Sequence, residues 1–377
     1  MKKLLFFIVL IVFIQENSFG KIRRVGFFAS PISGTDYSSF ALAYAAAAND
    51  DTILMFPNTT VSGTLNKKLY IFGPGNFLDP NSTPKGNANL QAFAGEAFIS
   101  SLTITIGSEG SLISGFRNGT IYVTANDITI KRNRDITVYI SFTNPAATVT
   151  NLQVLQNFFV TVLNYYANSS SVTNLNISNN FINYFSTASG NTYSGNISNN
   201  VWAYDATQTT SINGGAGTIS NTSGIELGGG AYLLQNNIFV SYTNVVAGSN
   251  YNYFSFSNGG NSVFNYNLAL QASSGGAQTW GAGVGNVITA IGNASSIFKA
   301  FPILGTSSVD SRYQLATGSP ALTVGLGSTA IGMFTGTSPY KLSTIPTIPT
   351  IYSLSSPQGN NPSGTTIQIN LSTRGNN

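Results

Sequence analysis

An all-β solenoid, a parallel β-helix entered by one capping helix, is the fold class this sequence predicts. Three observations carry it. Six asparagines recur in register with an apolar column, short period-two strands follow one another from Thr52 onward, and a helical stripe occurs once, near the start.

The chain opens on Lys2 and Lys3, an unbroken apolar run from Leu4 to Ile14, and then Ser18-Phe19-Gly20. A basic start, a short apolar stretch and small residues at the minus-three and minus-one positions describe a secretory signal peptide over residues 1–20, with cleavage before Lys21. A spanning helix takes about 20 apolar residues, and this run ends short of that. The expected location is secreted or cell-surface, with no membrane span in the mature chain.

Thr35 or Asp36 can cap a helix over about 36–48, because Phe40, Ala43, Tyr44 and Ala47 fall at i, i+3, i+4 and i+7 and make one apolar stripe. A solenoid must blunt its open end, and this stripe suits a cap. Asn49-Asp50-Asp51 ends the helix. Thr52 to Phe56, Lys68 to Phe72, Leu102 to Ile106 and Thr120 to Thr124 then read as short strands bounded by Gly, Pro, Asn or Ser.

The repeat aligns on Asn133, Asn157, Asn180, Asn200, Asn237 and Asn267. Three positions before each lie Ile130, Val154, Ile177, Ile197, Leu234 and Phe264, all apolar. One position after lie Arg134, Phe158, Phe181, Val201, Ile238 and Leu268, apolar in five of six. Alternate residues of each strand point inward and stack on the next coil about 4.8 Å away. An Asn at the bend tolerates left-handed backbone, and its amide can bond to the Asn above and below, a ladder of the kind stacked strands form. Eight to ten coils are expected. The long interval after Asn200 suits an excursion over Asp205 to Gly224, and such loops often carry binding.

Asn49-Asp50-Asp51-Thr52-Ile53, Asn66-Lys67-Lys68-Leu69, Phe72-Gly73-Pro74-Gly75 and the Asn-Asn-apolar steps resemble the right-handed, single-stranded parallel β-helix (pectin-lyase-like) proteins exported by bacteria. Tyr313-Gln314-Leu315, Gly318-Ser319-Pro320-Ala321 and Ile331-Gly332 resemble their closing segment. The resemblance implies a right-handed β-helix over 21–340. It leaves activity open, because such folds serve lyases, hydrolases, epimerases, adhesins and fibres alike. Residues 341–377 read as a Pro-punctuated C-terminal cap or tail: the prolines of Ile345 to Ile351 bar a central strand, and Thr366 to Leu371 can form a last edge strand.

Composition narrows the chemistry. The 377 residues include no His and no Cys, and 7% are charged, so imidazole bases, thiol nucleophiles and His or Cys metal sites are excluded. Between Ile136 and Phe298 there is no Lys or Arg, which argues against nucleic acid as a partner. Lyases of the resembled fold imply carboxylate-bound calcium with an Arg or Lys base, and hydrolases imply converging Asp side chains; otherwise no cofactor or metal is expected. The densest charge is Asp127, Lys131, Arg132, Arg134 and Asp135, with Arg117 one coil earlier. Asp127, Lys131 and Arg132 are the catalytic candidates, with a solvated edge of paired charges as the competing reading. Trp202, Tyr204 and Asp205 are the carbohydrate-binding candidates, since exposed rings stack on sugar faces, although the apolar equivalents of Trp202 point to the core. The expected function is a non-catalytic rod, adhesive or contacting polysaccharide or cell-surface glycan. The alternative is a polysaccharide lyase or glycoside hydrolase on the same scaffold.

Overall fold

The computed structural model describes residues 20–79, 81, 86–87, 90, 95–140, 148–164, 171–187, 192–203, 225–227, 230–240, 254–255, 261–271, 280, 282–290, 294–300, 307–355 and 370–375. The sequence-predicted signal peptide lies outside them save for Gly20, and the excursion at 205–224 lies wholly outside.

Hydrogen-bonded coils account for most of the chain. Successive strands alternate between two 12-stranded sheets, each strand pairing with its counterpart one coil away. In the first sheet Thr129–Lys131, Gln153–Leu155 and Ser171–Ser178 are parallel neighbours; in the second, Phe116–Val123, Arg134–Ile140, Phe158–Asn164 and Phe181–Thr187 are. This is a parallel β-helix. The strands expected at 102–106 and 120–124 start earlier, at Ala97 and Phe116, because pairing with the neighbouring coil recruits polar positions that period-two counting ignores.

The helix, α1, spans Phe40–Ala46 and buries Phe40 and Ala43 against the first coil. It is shorter than 36–48 and its cap is Ser39, whose hydroxyl accepts from Leu42 N at 3.4 Å. Asp36 is not free to cap: it accepts from Arg24 at 2.6 and 2.8 Å and from Ile32 N at 2.8 Å, within a two-residue strand. The Lys67 ammonium closes the other end, donating to Tyr44 O and Ala47 O, where the helix dipole favours a cation.

Between the two sheets the coils from Asn133 onward turn at an asparagine, whereas the coil before them turns at Gly115. Asn180 shows the pattern: its Oδ1 accepts from Asn157 N at 2.8 Å and Asn157 Nδ2 at 3.0 Å, while its own Nδ2 donates to Val154 O at 2.8 Å and Asn200 Oδ1 at 3.0 Å. The same bonds link Asn133, Asn157, Asn180, Asn200, Asn237 and Asn267, and continue to a seventh rung, Asn286. All six predicted rungs are fully buried. The left-handed conformation, however, belongs to the residue before each: Arg132, Gln156, Asn179, Asn199, Asn236 and Tyr266 have φ between 55° and 59°. The ladder amide can face the coil axis only if the preceding residue makes the bend.

The apolar residues three before each rung line the interior, but those one after do not. Phe158, Phe181, Val201, Ile238 and Leu268 form a second core outside the coils, closed by Ile297, Phe298, Tyr313, Ala321, Ile331, Met333 and Tyr340. Among the described residues the last coil strand is Val287–Ala290, and from residue 307 to 340 they form no further coil strand. The chain beyond that strand packs on the flank, and from Leu326 it runs back toward the first coils as a strap, because the apolar column after the ladder needs a cover. The tail differs too: Thr350–Ser355 pairs antiparallel with Asn370–Arg374 in a separate two-stranded sheet, the chain being free to pair once past Pro349.

Replacing Asn180 by Ala orphans Asn157 N and Val154 O, at roughly 1–3 kcal/mol for each buried group. We expect a loss of about 2–6 kcal/mol in denaturant unfolding, against about 0.5 kcal/mol for Asn196→Ala on the exposed face. Equal losses in the two variants would refute the ladder's role.

Candidate functional site

The side chains that make the bend face outward, and they meet the strap. Arg132 donates through Nε to Gln156 Oε1 at 2.6 Å and through Nη1 to Ile345 O at 2.8 Å. Gln156 Nε2 reaches Ser338 O at 2.9 Å, Asn179 Nδ2 reaches Met333 O at 3.0 Å and Thr335 O at 2.6 Å, and Asn199 Nδ2 reaches Thr335 Oγ1 at 3.0 Å. Asn236 Oδ1 accepts from Leu326 N at 3.2 Å. The strap therefore descends the column from the coil of Asn236 to that of Arg132 as its numbering rises. At its far end Asp310, fully buried, accepts from Ser308 Oγ, Asn87 Nδ2, Tyr340 Oη and Ser343 N at 2.6–3.1 Å. Burial, with this carboxylate alongside, raises the Tyr340 phenol far above its usual range.

Arg132 is thus 1% exposed and spent on holding chain to chain. Burial lowers its guanidinium to about 10, and it remains a cation at neutral pH. It is a positioning group of the strap and not a base open to substrate. Lys131 and Asp127 fall on the first-sheet side of the coil, outward of Ile128 and Ile130. Asp127 is exposed, left-handed at φ 58°, and accepts from Asn151 Nδ2 at 2.6 Å; Asn174 continues that outer column by donating to Asn151 Oδ1. Lys131 is half-buried beside Arg132 and Lys341, and burial first, then those two cations, holds its ammonium below the ordinary lysine range. The three catalytic candidates are neighbours in sequence but do not converge.

The remaining charge of that stretch closes on itself. Arg117 lies in register with Arg134 one coil on. Glu96, which sequence reasoning left out of the cluster, takes Arg117 at 2.9 Å and Arg134 at 3.4 Å, and Asp135 takes Arg134 at 3.0 Å. Arg134 also lies over the Phe77 ring, 3.9 Å from its centroid. Desolvation raises the Asp135 carboxyl against the pull of both arginines. Glu96 escaped notice because the sequence between Phe72 and Ala97 carries no period-two pattern that would place it on a coil.

Trp202 is 1% exposed and stacks on Phe239 at 4.7 Å inside the coils, so it packs the core and presents no ring to a sugar. Tyr204 and Asp205 lie outside the described residues. Among the described residues no group of three His, Cys, Asp or Glu is placed to hold a metal, and no helix is long and apolar enough to cross a membrane.

No family model matches the chain, and no curated protein matches it. Among solved structures the crystal structure of pectate lyase Pel9A is similar, at 14% identity over 87% of this chain and 97% of that one, with a TM-score of 0.42.

If Asp310 fixes the strap through four neutral donors, Asp310→Asn forces an amide N–H against one of them. We expect a cost of about 1–3 kcal/mol and trypsin cleavage at Lys341 under conditions where the parent chain resists. Unchanged cleavage in limited proteolysis would show that the strap is held elsewhere.

Proposed function

We propose that the chain is an exported, non-catalytic β-helix rod whose outward faces contact polysaccharide or cell-surface glycan. One observation carries the non-catalytic part: seven carboxylates are engaged within the fold, and exposed Asp127 accepts from Asn151. Asp36 holds Arg24, Asp51 holds Arg23, Asp50 holds Lys68, and Glu96 and Asp135 hold the two arginines. Glu109 accepts from Gly107 N and Asp310 is walled in. A calcium-dependent lyase or a two-carboxylate hydrolase needs acids free to turn toward substrate.

The glycan part is supported by what the coils present. Thr129, Gln153, Asn176 and Asn196 stack in register on the first sheet, with Asn176 Nδ2 donating to Gln153 Oε1 at 2.7 Å. Thr120, Thr137 and Thr161 align on the second, beside the stacked rings of Tyr122 and Tyr139. Neutral donors and acceptors repeating once per coil, about 4.8 Å apart, suit a hydroxyl-rich polymer better than a charged protein partner.

The test is affinity electrophoresis of the chain from Lys21 through acidic and neutral polysaccharides, paired with assays for new reducing ends and unsaturated sugars, with and without calcium. Retardation by at least one polymer and no turnover is expected. Turnover that disappears in Asp127→Asn or Lys131→Ala would move the protein to the lyases or hydrolases.

A further inference from the structure

Two lysines near buried Arg132 carry no ion pair of their own among the described residues. Lys131 ends the first-sheet strand Thr129–Lys131 and is half-buried. Lys341 opens the turn Leu342–Thr344 of the strap, which the bond to Ile345 O ties to buried Arg132. Lys131 feels the charges of Arg132 and Lys341, both of its own sign, and neither lysine has an ion pair or hydrogen bond from its ammonium among the described residues. Next to Lys131 in the same outward column is Ser114, its direct register partner. Ser114 is 1% exposed, and its hydroxyl has no hydrogen-bond partner.

Gathering like charges in a desolvated place is costly unless a counter-charge arrives, and a buried hydroxyl left without a partner adds about 1–3 kcal/mol. The two deficits have one remedy. An oxygen anion accepts from ammonium and hydroxyl donors together, in charge-assisted bonds. We propose that Lys131, Lys341 and Ser114, set between the coil and the strap, form a binding site for an oxyanion group, carried by a carboxylated or sulfated polysaccharide. The polymer part rests on the glycan-contacting reading above; the oxyanion part does not. Arg132 serves this site through its grip on Ile345, which keeps the strap and Lys341 in place.

The experiment compares the parent chain with a Lys131→Met/Lys341→Met variant, and with Lys299→Met as a control that removes a lysine elsewhere. Thermal midpoints are read in sodium sulfate and in sodium chloride at equal ionic strength; the general salting-in or salting-out contribution is shared by all three proteins. Mobility is read in gels containing polygalacturonate, dextran sulfate or neutral dextran. We expect sulfate to raise the midpoint of the parent and of Lys299→Met but not of the double variant. In chloride the double variant should melt at or above the parent, because a repulsion has been removed; a merely structural role for the lysines predicts the reverse. Retardation by an acidic polymer should fall about tenfold or more in the double variant. Retardation by polygalacturonate alone assigns a carboxylate, and by dextran sulfate alone a sulfate ester. A sulfate response without retardation by either polymer supports the oxyanion site and overturns the polymer, while retardation by an acidic polymer that survives both substitutions keeps the glycan reading and overturns this site. A double variant that responds to sulfate as the parent does overturns the proposal outright.

Discussion

The structure depends on one side-chain amide repeated along the axis. A coil that turns sharply between two buried strands leaves backbone N–H and C=O groups facing the interior, where no water reaches them and each orphan costs about 1–3 kcal/mol. Asn answers this with one acceptor and two donors on a short stem. Its oxygen takes the N–H and amide of the coil before, and its nitrogen reaches back to a carbonyl and onward to the next amide. Gln is a methylene too long for that reach, and Asp has no donor to return.

Placing the amide inward dictates what surrounds it. The residue before must adopt φ near 55°, as Arg132, Gln156, Asn179, Asn199 and Asn236 do, and this throws its side chain outward. The residue after starts the second-sheet strand facing out, and in five of six coils it is apolar. A bend built to satisfy the interior thus generates an external column of polar arms beside an external apolar stripe. The strap uses both: Ile331, Met333 and Tyr340 cover the stripe while the arms hold its backbone. Each buried aromatic or aliphatic side chain contributes about 1.5–3 kcal/mol, so the flank forms a second core and not a loose tail.

Much of this was legible in the residues, and the gaps have physical reasons. Six rungs could be read because an apolar residue sits three before each. Asn286 could not, because that slot is Gly283, where φ is +146° and a Cβ would lie 1.7 Å from Phe264 O; the backbone's closeness replaced the signal. The left-handed slot was assigned one residue late, since Asn179-Asn180, Asn199-Asn200 and Asn236-Asn237 are indistinguishable as pairs. Only Arg132, Gln156 and Tyr266 separate the two roles. The apolar column after the ladder was visible but its cover was not, for the strap has no period to read. Of the candidate site, the register of Arg117 with Arg134 followed from coil spacing, whereas the burial of Arg132 and Trp202 depended on contacts made over long sequence distances.

Charge follows the same logic. A coil that saturates its own backbone, with Asn, Ser and Thr to wet its faces, does not need many ionic groups, and the clearest repeats coincide with the stretch free of Lys and Arg. Where charges do occur they fasten irregular parts: Arg23 with Asp51 beneath the helix, Arg117 and Arg134 with Glu96 and Asp135 beside the loop after Phe72, Arg132 at the end of the strap. In so sparing a chain an unmatched cation is more informative than it would be on an ordinary surface, where solvated lysines are common. Lys341 comes within electrostatic reach of Lys131 only because the strap returns to the coil of Arg132, so that neighbourhood is a product of the ladder's geometry.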